Sequence, residues 1–358
     1  MRRFLLKLFL LIASIGLGGG ALGLWWVNRP ITLPAPTVDL TVEPGTTPRG
    51  IAEAVAATGA GVPPPLLYGW FRFSGQDRRI RAGSYELERG VTPRGLLDML
   101  VRGEEATRSV GLVEGWNFRQ VRSALAKHEK IEQTLDGLSD SEVMAKLGHP
   151  GEFPEGRFFP DTYRFVRGMT DAQLLEKSYN RLEKVLAQEW EQRDPDVPYA
   201  DPYQALIMAS LVEKETGVPQ ERGQIAGVFV RRMKIGMPLQ TDPTVIYGLG
   251  ERYNGKLTRS HLRKPTPYNT YTIPGLPPTP IAMVGREAIH AALHPVSGSS
   301  LYFVAKGDGS HTFSDDLDAH NNAVREFQIK RRADYRSSPA PTPAAEPVSP
   351  AAEPQSPQ

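Results

Sequence analysis

The clearest hydrophobic pattern in the chain lies between Ala205 and Gly217, which reads ALIMASLVEKETG. Its apolar residues fall on most sides of a helix, and this distribution predicts a helix that is buried rather than one that lies at the surface. The stretch ends in two acidic residues, Glu213 and Glu215, on either side of a lysine. The pattern therefore places two carboxylates close to the buried end of a helix.

A carboxylate in this position has two interpretations. If burial desolvates it, its pKa rises, and a Glu that is protonated at neutral pH is what a general acid requires. If both carboxylates lie beyond the buried part of the helix, they are solvated and Gly217 serves as the helix C-cap. Because Glu is rarely fully buried, the pattern alone leaves both interpretations open.

Three segments between residues 38 and 125 share the pattern of a short strand, a Gly turn and a helix. They are Leu40–Val55, Tyr85–Leu100 and Val110–Leu125. In the first two, a Thr-Pro pair supplies the N-cap and the first helical residue. The pattern predicts small α+β modules, and the first two segments resemble the LysM-like module of some cell-wall proteins. The alternative is a packing module without a ligand.

The chain beyond residue 125 mixes predicted helices with short strands and loops, which indicates an α+β fold class. Residues 126–336 form the predicted C-terminal domain, and residues 337–358, rich in Pro and Ala, are predicted to be disordered. We predict helices over Lys127–Pro150 with one break, Thr170–Gln192, Gly223–Met233, Arg286–Leu293 and Leu317–Arg331, a turn and strand at Asn254–Leu257, and a hairpin from Leu301–Ala305 to Gly307–Phe313.

An uncharged run from Leu8 to Val27 lies near the N-terminus and is long enough to cross a bilayer as a helix. Basic residues precede it and two Trp residues close it, so the positive-inside rule places residues 1–7 in the cytoplasm and the chain after Asn28 outside. The alternative is a cleaved signal peptide, but large Trp residues stand where small residues would mark cleavage. We therefore predict a single-pass transmembrane helix over residues 8–27, followed by a linker over residues 28–37.

Composition narrows the classes of function. The 358 residues suffice for two domains of ordinary size. Lys and Arg number 42 against 40 Asp and Glu, so the net charge gives no support for a nucleic-acid partner. The sequence contains no Cys, which excludes disulfides and a Cys-ligated metal. His294, His311 and His320 lack zinc spacing, and the acidic residues lack the calcium-loop pattern, so we predict neither a metal site nor a cofactor.

Polar and aromatic residues in the Pro-rich loops suit a carbohydrate, because rings stack on Tyr and hydroxyls bond to amides and carboxylates. The segment Phe153–Phe165 either lines such a cleft or belongs to an aromatic core. Hydrolysis of a glycosidic bond normally requires two carboxylates, which here would be Glu215 with Asp242 or with Asp161. If the sugar's own hydroxyl attacks instead, one Glu suffices, because the intramolecular nucleophile replaces the second carboxylate.

Several separated motifs make the chain similar to a known family. ASLVEKETG at Ala209–Gly217, LQTDPTVIYG at Leu239–Gly248, YNTYTIPGLPPTPI at Tyr268–Ile281 and YFVAKGDGSHTFS at Tyr302–Ser314 resemble the endolytic murein transglycosylase family, and FPDTYRF at Phe159–Phe165 fits as well. The resemblance runs from about Val42 to Phe327 and includes the N-terminal anchor.

The resemblance implies a membrane-anchored lytic transglycosylase of the cell wall, which is a lyase that needs no cofactor. Such enzymes cut the bond between N-acetylmuramic acid and N-acetylglucosamine within peptidoglycan strands, leave a 1,6-anhydromuramic end and use no water. In this family the cut is linked to the termination of nascent strands near the membrane. The resemblance therefore implies an inner-membrane protein with its catalytic domain in the periplasm, and wall synthases as candidate partners.

The resemblance also implies roles for individual residues. Other lytic transglycosylases place their catalytic Glu directly before a Ser, and Lys214-Glu215-Thr216 is similar to that arrangement. Glu215 is therefore predicted to be the single general acid and base, with Glu213 in reserve. Contacts to the substrate are predicted for Gln240, Asp242, Thr244, Tyr247, Tyr268, Asn269, Tyr271 and His311.

Two other functions fit the same residues. A hydrolytic muramidase would use Glu215 as the acid and Asp242 as the second carboxylate, and it would release reducing ends. A non-catalytic scaffold would bind glycan strands without cutting them, but an apolar setting for Glu215 has no evident purpose in such a protein.

Overall fold

The structure, a computed structural model, describes residues 17–329 of the chain. It divides the chain into two compact units, Met1–Ser109 with Arg164–Met169, and Val110–Tyr163 with Thr170–Gln358. The described part contains three two-stranded sheets among many helices, so the predicted α+β class is confirmed.

In the first unit, two strands and three helices enclose a small core. Strands β1 (Thr37–Val42) and β2 (Gly83–Glu88) pair antiparallel, with Leu40 opposite Tyr85. Helices α1 (Pro48–Ala57), α2 (Pro64–Phe73) and α3 (Pro93–Arg102) complete it. The predicted Thr caps are confirmed, since the Thr47 and Thr92 hydroxyls accept the N–H groups of Gly50 and Gly95. The LysM-like character of this unit stays a prediction.

The chain from residue 108 onward forms two strand pairs and the remaining helices. Strand β3 (Arg108–Leu112) pairs with β4 (Asp161–Phe165), and β5 (Tyr302–Ala305) pairs antiparallel with β6 (His311–Ser314). The helices are α4 (Phe118–Ala126), α5 (Asp140–Lys146), α6 (Asp171–Glu191), α7 (Pro202–Glu215), α8 (Arg222–Lys234), α9 (Asp242–Leu249), α10 (Arg259–Arg263), α11 (Arg286–Leu293) and α12 (Leu317–Val324). Short 3-10 turns lie at Pro219–Glu221 and Gly250–Arg252, and a π-helical turn lies at Arg325–Ile329; a further 3-10 turn, Asp77–Arg79, belongs to the first unit.

Helix α7 is the central helix of the second unit, and its predicted burial is confirmed. The eight residues from Ala205 to Val212 are all buried, and α7 packs against α6, α8 and α11. Asp201 caps its start, and Pro202 occupies the first helical position. The helix ends at Glu215, and Thr216, whose backbone is extended, is its C-cap, so the alternative with Gly217 as the cap is wrong.

Three other local predictions differ from the structure. Most of Lys127–Pro150 is a loop, because the Asp171 carboxylate accepts the backbone N–H groups of Thr134 and Leu135 in place of helical bonds. Residues 253–258 form a loop instead of a strand. The predicted helix from Leu317 changes to a π-helical turn after Val324, and its last two residues lie outside the described part.

The third strand–helix segment, Val110–Leu125, groups with the second unit and not with the first two segments. Its Phe118 ring stacks on Phe158 at a centroid distance of 5.1 Å. Phe158, Phe159 and Phe165 are all buried, so this aromatic stretch contributes mainly to the core.

Residues 17–27 are helical. Within residues 17–329, every helix is too short or too polar to span a membrane. The first part of the predicted transmembrane helix, residues 8–16, and the predicted cytoplasmic residues 1–7 lie outside the described residues. The predicted disordered tail, residues 337–358, lies outside them as well.

Candidate active site

Glu215 is the last residue of α7 and lines an open cleft of about 830 Å³ in the second unit. The buried body of α7 fixes the backbone of Glu215 and holds its side chain at the edge of the core. We call this space the Glu215 cleft. Its polar lining includes Lys214, Glu215, Arg232, Gln240, Asp242, Tyr271 and His311.

The Glu215 carboxyl has the elevated pKa that burial predicts. Desolvation raises the pKa of Glu215 to about 7, while the hydrogen bond from Thr241 opposes the rise and the charge of Asp242 adds to it. A carboxyl with this pKa is partly protonated at neutral pH. It can therefore donate a proton in one step and accept one in the next.

A network of buried threonines orients the hydroxyl that donates to Glu215. Thr241 donates its backbone N–H to the Thr270 hydroxyl at 3.0 Å, and the Thr270 and Thr244 hydroxyls are 2.9 Å apart. The Thr244 hydroxyl in turn donates to the Thr241 carbonyl at 2.8 Å. Gln240, just before, has a φ of 54°, a conformation that non-Gly residues seldom adopt. The loop holds Thr241 in one orientation.

Arg232 is a buried cation in the wall of the Glu215 cleft, and it is not among the site residues predicted from the sequence. Its guanidinium donates to the carbonyls of Leu239 and Leu301 at 2.8 and 2.6 Å and lies 5.1 Å from the centroid of the Tyr302 ring. Its charge favours the ionised form of Glu215 and so opposes the effect of desolvation. Its burial could not be predicted from the sequence, because it stands in the last turn of α8 beside other basic residues, which are usually exposed.

Four of the predicted substrate contacts do line the Glu215 cleft: Gln240, Asp242, Tyr271 and His311. The Tyr271 hydroxyl donates to Asp242 at 2.7 Å. His311 lies in β6, where its backbone N–H and its Nδ1 both contact the Glu221 carboxylate, at 2.9 and 2.7 Å. Glu221 therefore fixes the imidazole against the cleft wall.

Two other predicted contacts are fully buried. Thr244 belongs to the threonine network. The Asn269 amide donates to the carbonyls of His261, Leu262 and Lys264, and its oxygen accepts the Tyr271 N–H. Both side chains hold the loops of the cleft in place and have no exposed surface with which to touch a ligand.

Tyr247 and Tyr268 line a second cleft of about 650 Å³. We call it the Glu155 cleft; it is lined by Asn117, Phe118, Arg119, Glu155, Tyr247 and Tyr268, and it shares Lys214 and Pro243 with the Glu215 cleft. The two Tyr rings lie 4.9 Å apart. The structure thus distributes the predicted sugar contacts over two clefts that share part of their walls.

Glu155 is a second buried carboxyl with a raised pKa, and it is not among the site residues predicted from the sequence. Desolvation raises the pKa of Glu155 to about 7, against hydrogen bonds from the Phe118 N–H and the Tyr247 hydroxyl. The contact to Phe118 joins residues 37 positions apart, so the local pattern gave no signal for it.

Glu213, the reserve candidate, points away from Glu215, as residues two apart on a helix do. Its carboxylate accepts the Gly285 N–H at 3.1 Å and lies 3.9 Å from the Arg222 guanidinium. Burial raises its pKa. These contacts give Glu213 a structural position at the start of α11.

The pKa of Glu155 leads to a prediction about stability. Its folded pKa lies above its unfolded pKa, so its contribution to stability is complete below pH 4.5 and is lost as the pH rises through about 7. Ionisation of Glu155 should lower the unfolding free energy of the parent by up to about 3 kcal/mol in this range, and Glu155→Gln should lack this decrease. Urea unfolding of parent and variant from pH 5 to pH 8 measures the difference. Parallel curves for the two proteins would contradict the assignment.

Comparisons with known proteins agree with the motif resemblance. The sequence model of the YceG-like family matches residues 40–326. A relative named endolytic murein transglycosylase from Bacillus subtilis (strain 168) is 29% identical over 314 residues, which cover 81% of this chain and 85% of the relative. A relative of the same name from Streptococcus pneumoniae serotype 2 (strain D39 / NCTC 7466) is 24% identical over 297 residues, 69% of this chain and 50% of the relative.

The fold is also similar to a solved structure. The crystal structure of a YceG-like protein from Listeria monocytogenes superposes with a TM-score of 0.52 at 26% identity, over 80% of this chain and 98% of that protein. Both the sequence and the fold comparisons extend over most of the chain. The resemblance that the motifs indicated is confirmed, and the chain belongs to the YceG-like family.

Proposed function

We propose that this protein is a lytic transglycosylase that cuts the β-1,4 bond between N-acetylmuramic acid and N-acetylglucosamine within peptidoglycan strands. The observation that carries the proposal is one desolvated carboxyl, Glu215, with a pKa of about 7, in a large open cleft lined by polar and aromatic side chains. The relatives named endolytic murein transglycosylase support the class of reaction.

In the proposed reaction, protonated Glu215 donates its proton to the glycosidic oxygen as the bond to the anomeric carbon breaks. The C6 hydroxyl of the same muramic sugar attacks that carbon and closes the 1,6-anhydro ring. The Glu215 carboxylate, formed in the first step, accepts the proton of this hydroxyl. The intramolecular attack replaces water as the nucleophile, so the enzyme returns to its starting protonation state.

A hydrolytic muramidase is the second candidate, because Asp242 lines the same cleft as Glu215 and its charge raises the pKa of Glu215. In that reaction Asp242 would act as the second carboxylate. Asp161, the other predicted partner, lies in an ion pair with Arg181 at 2.8 Å. The structure therefore favours Asp242 as the second carboxylate of a hydrolase.

Mass spectrometry of the products separates the two reactions. Purified glycan strands are treated with the chain from residue 28 to residue 336 and, separately, with the full chain in detergent. We expect 1,6-anhydromuramic ends from both proteins. Reducing ends would replace the proposal with the muramidase. Strand binding without any product from either protein would identify a glycan-binding scaffold.

The contact between Thr241 and Glu215 leads to a prediction about the pH profile. The Thr241 hydroxyl lowers the pKa of Glu215, so Thr241→Val should raise it further. Because the acid must be protonated, the alkaline fall of kcat/KM near pH 7 should move to higher pH by about one unit or more. Steady-state rates from pH 5 to pH 9 measure the shift.

Thr272→Val is the matched control, because the Thr272 hydroxyl donates to the Asn269 carbonyl in the loop of Thr270. Its profile should coincide with that of the parent. An alkaline limb that stays in place or moves to lower pH in Thr241→Val would contradict the role of Thr241.

We further propose that residues 8–27 anchor the protein in the inner membrane, with the catalytic unit in the periplasm, where it terminates nascent strands beside wall synthases. The uncharged run and the basic residues before it support this proposal. The anchored protein should sediment with membranes and resist extraction by salt, whereas a chain that starts at residue 28 should not. Recovery of both forms in the soluble fraction would reject the anchor.

The first unit, with its LysM-like pattern, is proposed to bind glycan. Residues 28–109 of the intact protein should be protected from hydrogen exchange when glycan strands are added. Protection confined to the second unit would show that the first unit packs without a glycan ligand.

A further inference from the structure

Three potential metal ligands meet between the end of α6 and the last turn of α11. One ligand atom from each of Glu189, His290 and His294 lies within 4.8 Å of the other two. Glu189 Oε2 and His290 Nδ1 are 2.9 Å apart. His290 lies on α11 and His294 directly follows the last residue of that helix, and their ring centroids are 4.3 Å apart.

His294 has the environment of a metal-binding imidazole. Its Nδ1 contacts the Asp194 carboxylate at 3.1 Å, which assigns the proton to that nitrogen and leaves Nε2 with a free lone pair. Nε2 is buried and has no hydrogen-bond partner among the described residues. Buried polar atoms usually have a hydrogen-bond partner, so the unpartnered Nε2 of His294 is available to bind a ligand.

Glu189 is buried and carries two distinct contacts. Arg286 donates to Oε1 at 2.5 Å, while Oε2 faces His290. The Arg286 guanidinium also donates to Gln188 at 3.1 Å and is held on the outer side of the carboxylate. A cation that replaces the proton between Oε2 and His290 Nδ1 would leave the Arg286 contact in place.

We propose that Glu189, His290 and His294 form a binding site for Zn²⁺. Two imidazoles and one carboxylate are a known zinc donor set, and imidazole favours zinc over magnesium and calcium. Bonds of about 2.0–2.2 Å place the ligand atoms of a tetrahedral site about 3.3 Å apart. The ligand atoms of Glu189 and His290, 2.9 Å apart, lie slightly closer together than this distance, and the ligand atoms of all three residues lie within 4.8 Å of one another.

His294 has no zinc spacing with His311 or His320, but His290 lies four positions before it. The third ligand also lies about 100 residues away, on another helix. A bound Zn²⁺ would link the end of α6 to α11, which packs against the helix that carries Glu215. The site lies apart from both clefts and does not depend on the proposed reaction.

Isothermal titration of the full chain in detergent with Zn²⁺, after removal of any affinity tag, tests the site. We expect one Zn²⁺ per chain, at least tenfold weaker binding in His290→Ala and in His294→Asn, and a rise in Tm with Zn²⁺ only in the parent. His290 is more than half exposed, so its loss should leave the fold intact. Co²⁺ should give the intense visible absorption of a tetrahedral site.

His261→Ala is the control, because this His lies on α10 outside the cluster. It should bind Zn²⁺ as the parent does. Absence of saturable binding by the parent, or unchanged affinity in both cluster variants, would overturn the proposal.

Discussion

Replacing Glu215 by Gln is expected to lower kcat/KM for glycan cleavage by about 100-fold to 10,000-fold, the usual contribution of a general acid and base. The amide has the size of the carboxyl and can still accept the Thr241 hydroxyl, but it can neither donate the proton to the glycosidic oxygen nor accept one. The rate of product formation from purified glycan strands measures the loss.

The fold should survive this change. The raised pKa of Glu215 means that ionisation of the carboxyl works against folding above pH 7, so the neutral amide should maintain or raise the unfolding free energy there. Circular dichroism and urea unfolding at pH 8 check this expectation. A loss of activity with native stability then reports on the chemistry.

Glu213→Gln is the matched control, since Glu213 lies two residues earlier on α7 and binds the Gly285 N–H. An amide oxygen preserves that contact, so activity should stay close to that of the parent. Full activity in Glu215→Gln would remove Glu215 as the acid. Loss of activity in Glu213→Gln alone would transfer the role to Glu213.

The sequence predicted the parts of this site that depend on local pattern. The apolar residues of α7 predicted its burial, but they left open whether Glu215 is desolvated or solvated, and the structure shows that desolvation raises its pKa. The orientation of Thr241 could not be predicted from the sequence, because it depends on hydrogen bonds to Thr270, 29 residues away. Glu155 was missed for the same reason, since its partner Phe118 comes from another segment.

The loop residues show a second limit of sequence patterns. Tyr271 and Asn269 are both polar, lie close together and suit a sugar equally well by residue type. In the structure Tyr271 lines the Glu215 cleft, while the Asn269 amide donates to backbone carbonyls at the end of α10. The last carbonyls of a helix have no backbone partner within that helix, so other groups must bond to them, and which side chain does so depends on the folded backbone.

Gly156→Ala is expected to lower the unfolding free energy of the protein by about 3 kcal/mol. Gly156 has a φ of 72°, which costs a side chain about 1 kcal/mol or more. A Cβ there would also lie 2.4 Å from Pro280 Cβ, a clash worth about 1–3 kcal/mol. Pro280 lies in a stiff loop, so moving it aside would itself cost free energy. Urea unfolding at constant pH measures the change.

Gly137→Ala separates the two contributions, because Gly137 has the same φ of 72° but its added Cβ would meet nothing within 4 Å among the described residues. The unfolding free energy of this variant should fall only by the cost of placing a residue with a Cβ at a positive φ, about 1 kcal/mol. The difference between the two variants is the cost of the contact with Pro280. Gly156 adjoins Glu155, so Gly156→Ala should also change the pH dependence of stability that comes from Glu155. Gly137→Ala should leave that pH dependence as it is in the parent. Equal losses of unfolding free energy in the two variants would show that the loop around Pro280 shifts to accommodate the added methyl group, and that the Glu155 cleft is less rigid than its packing indicates.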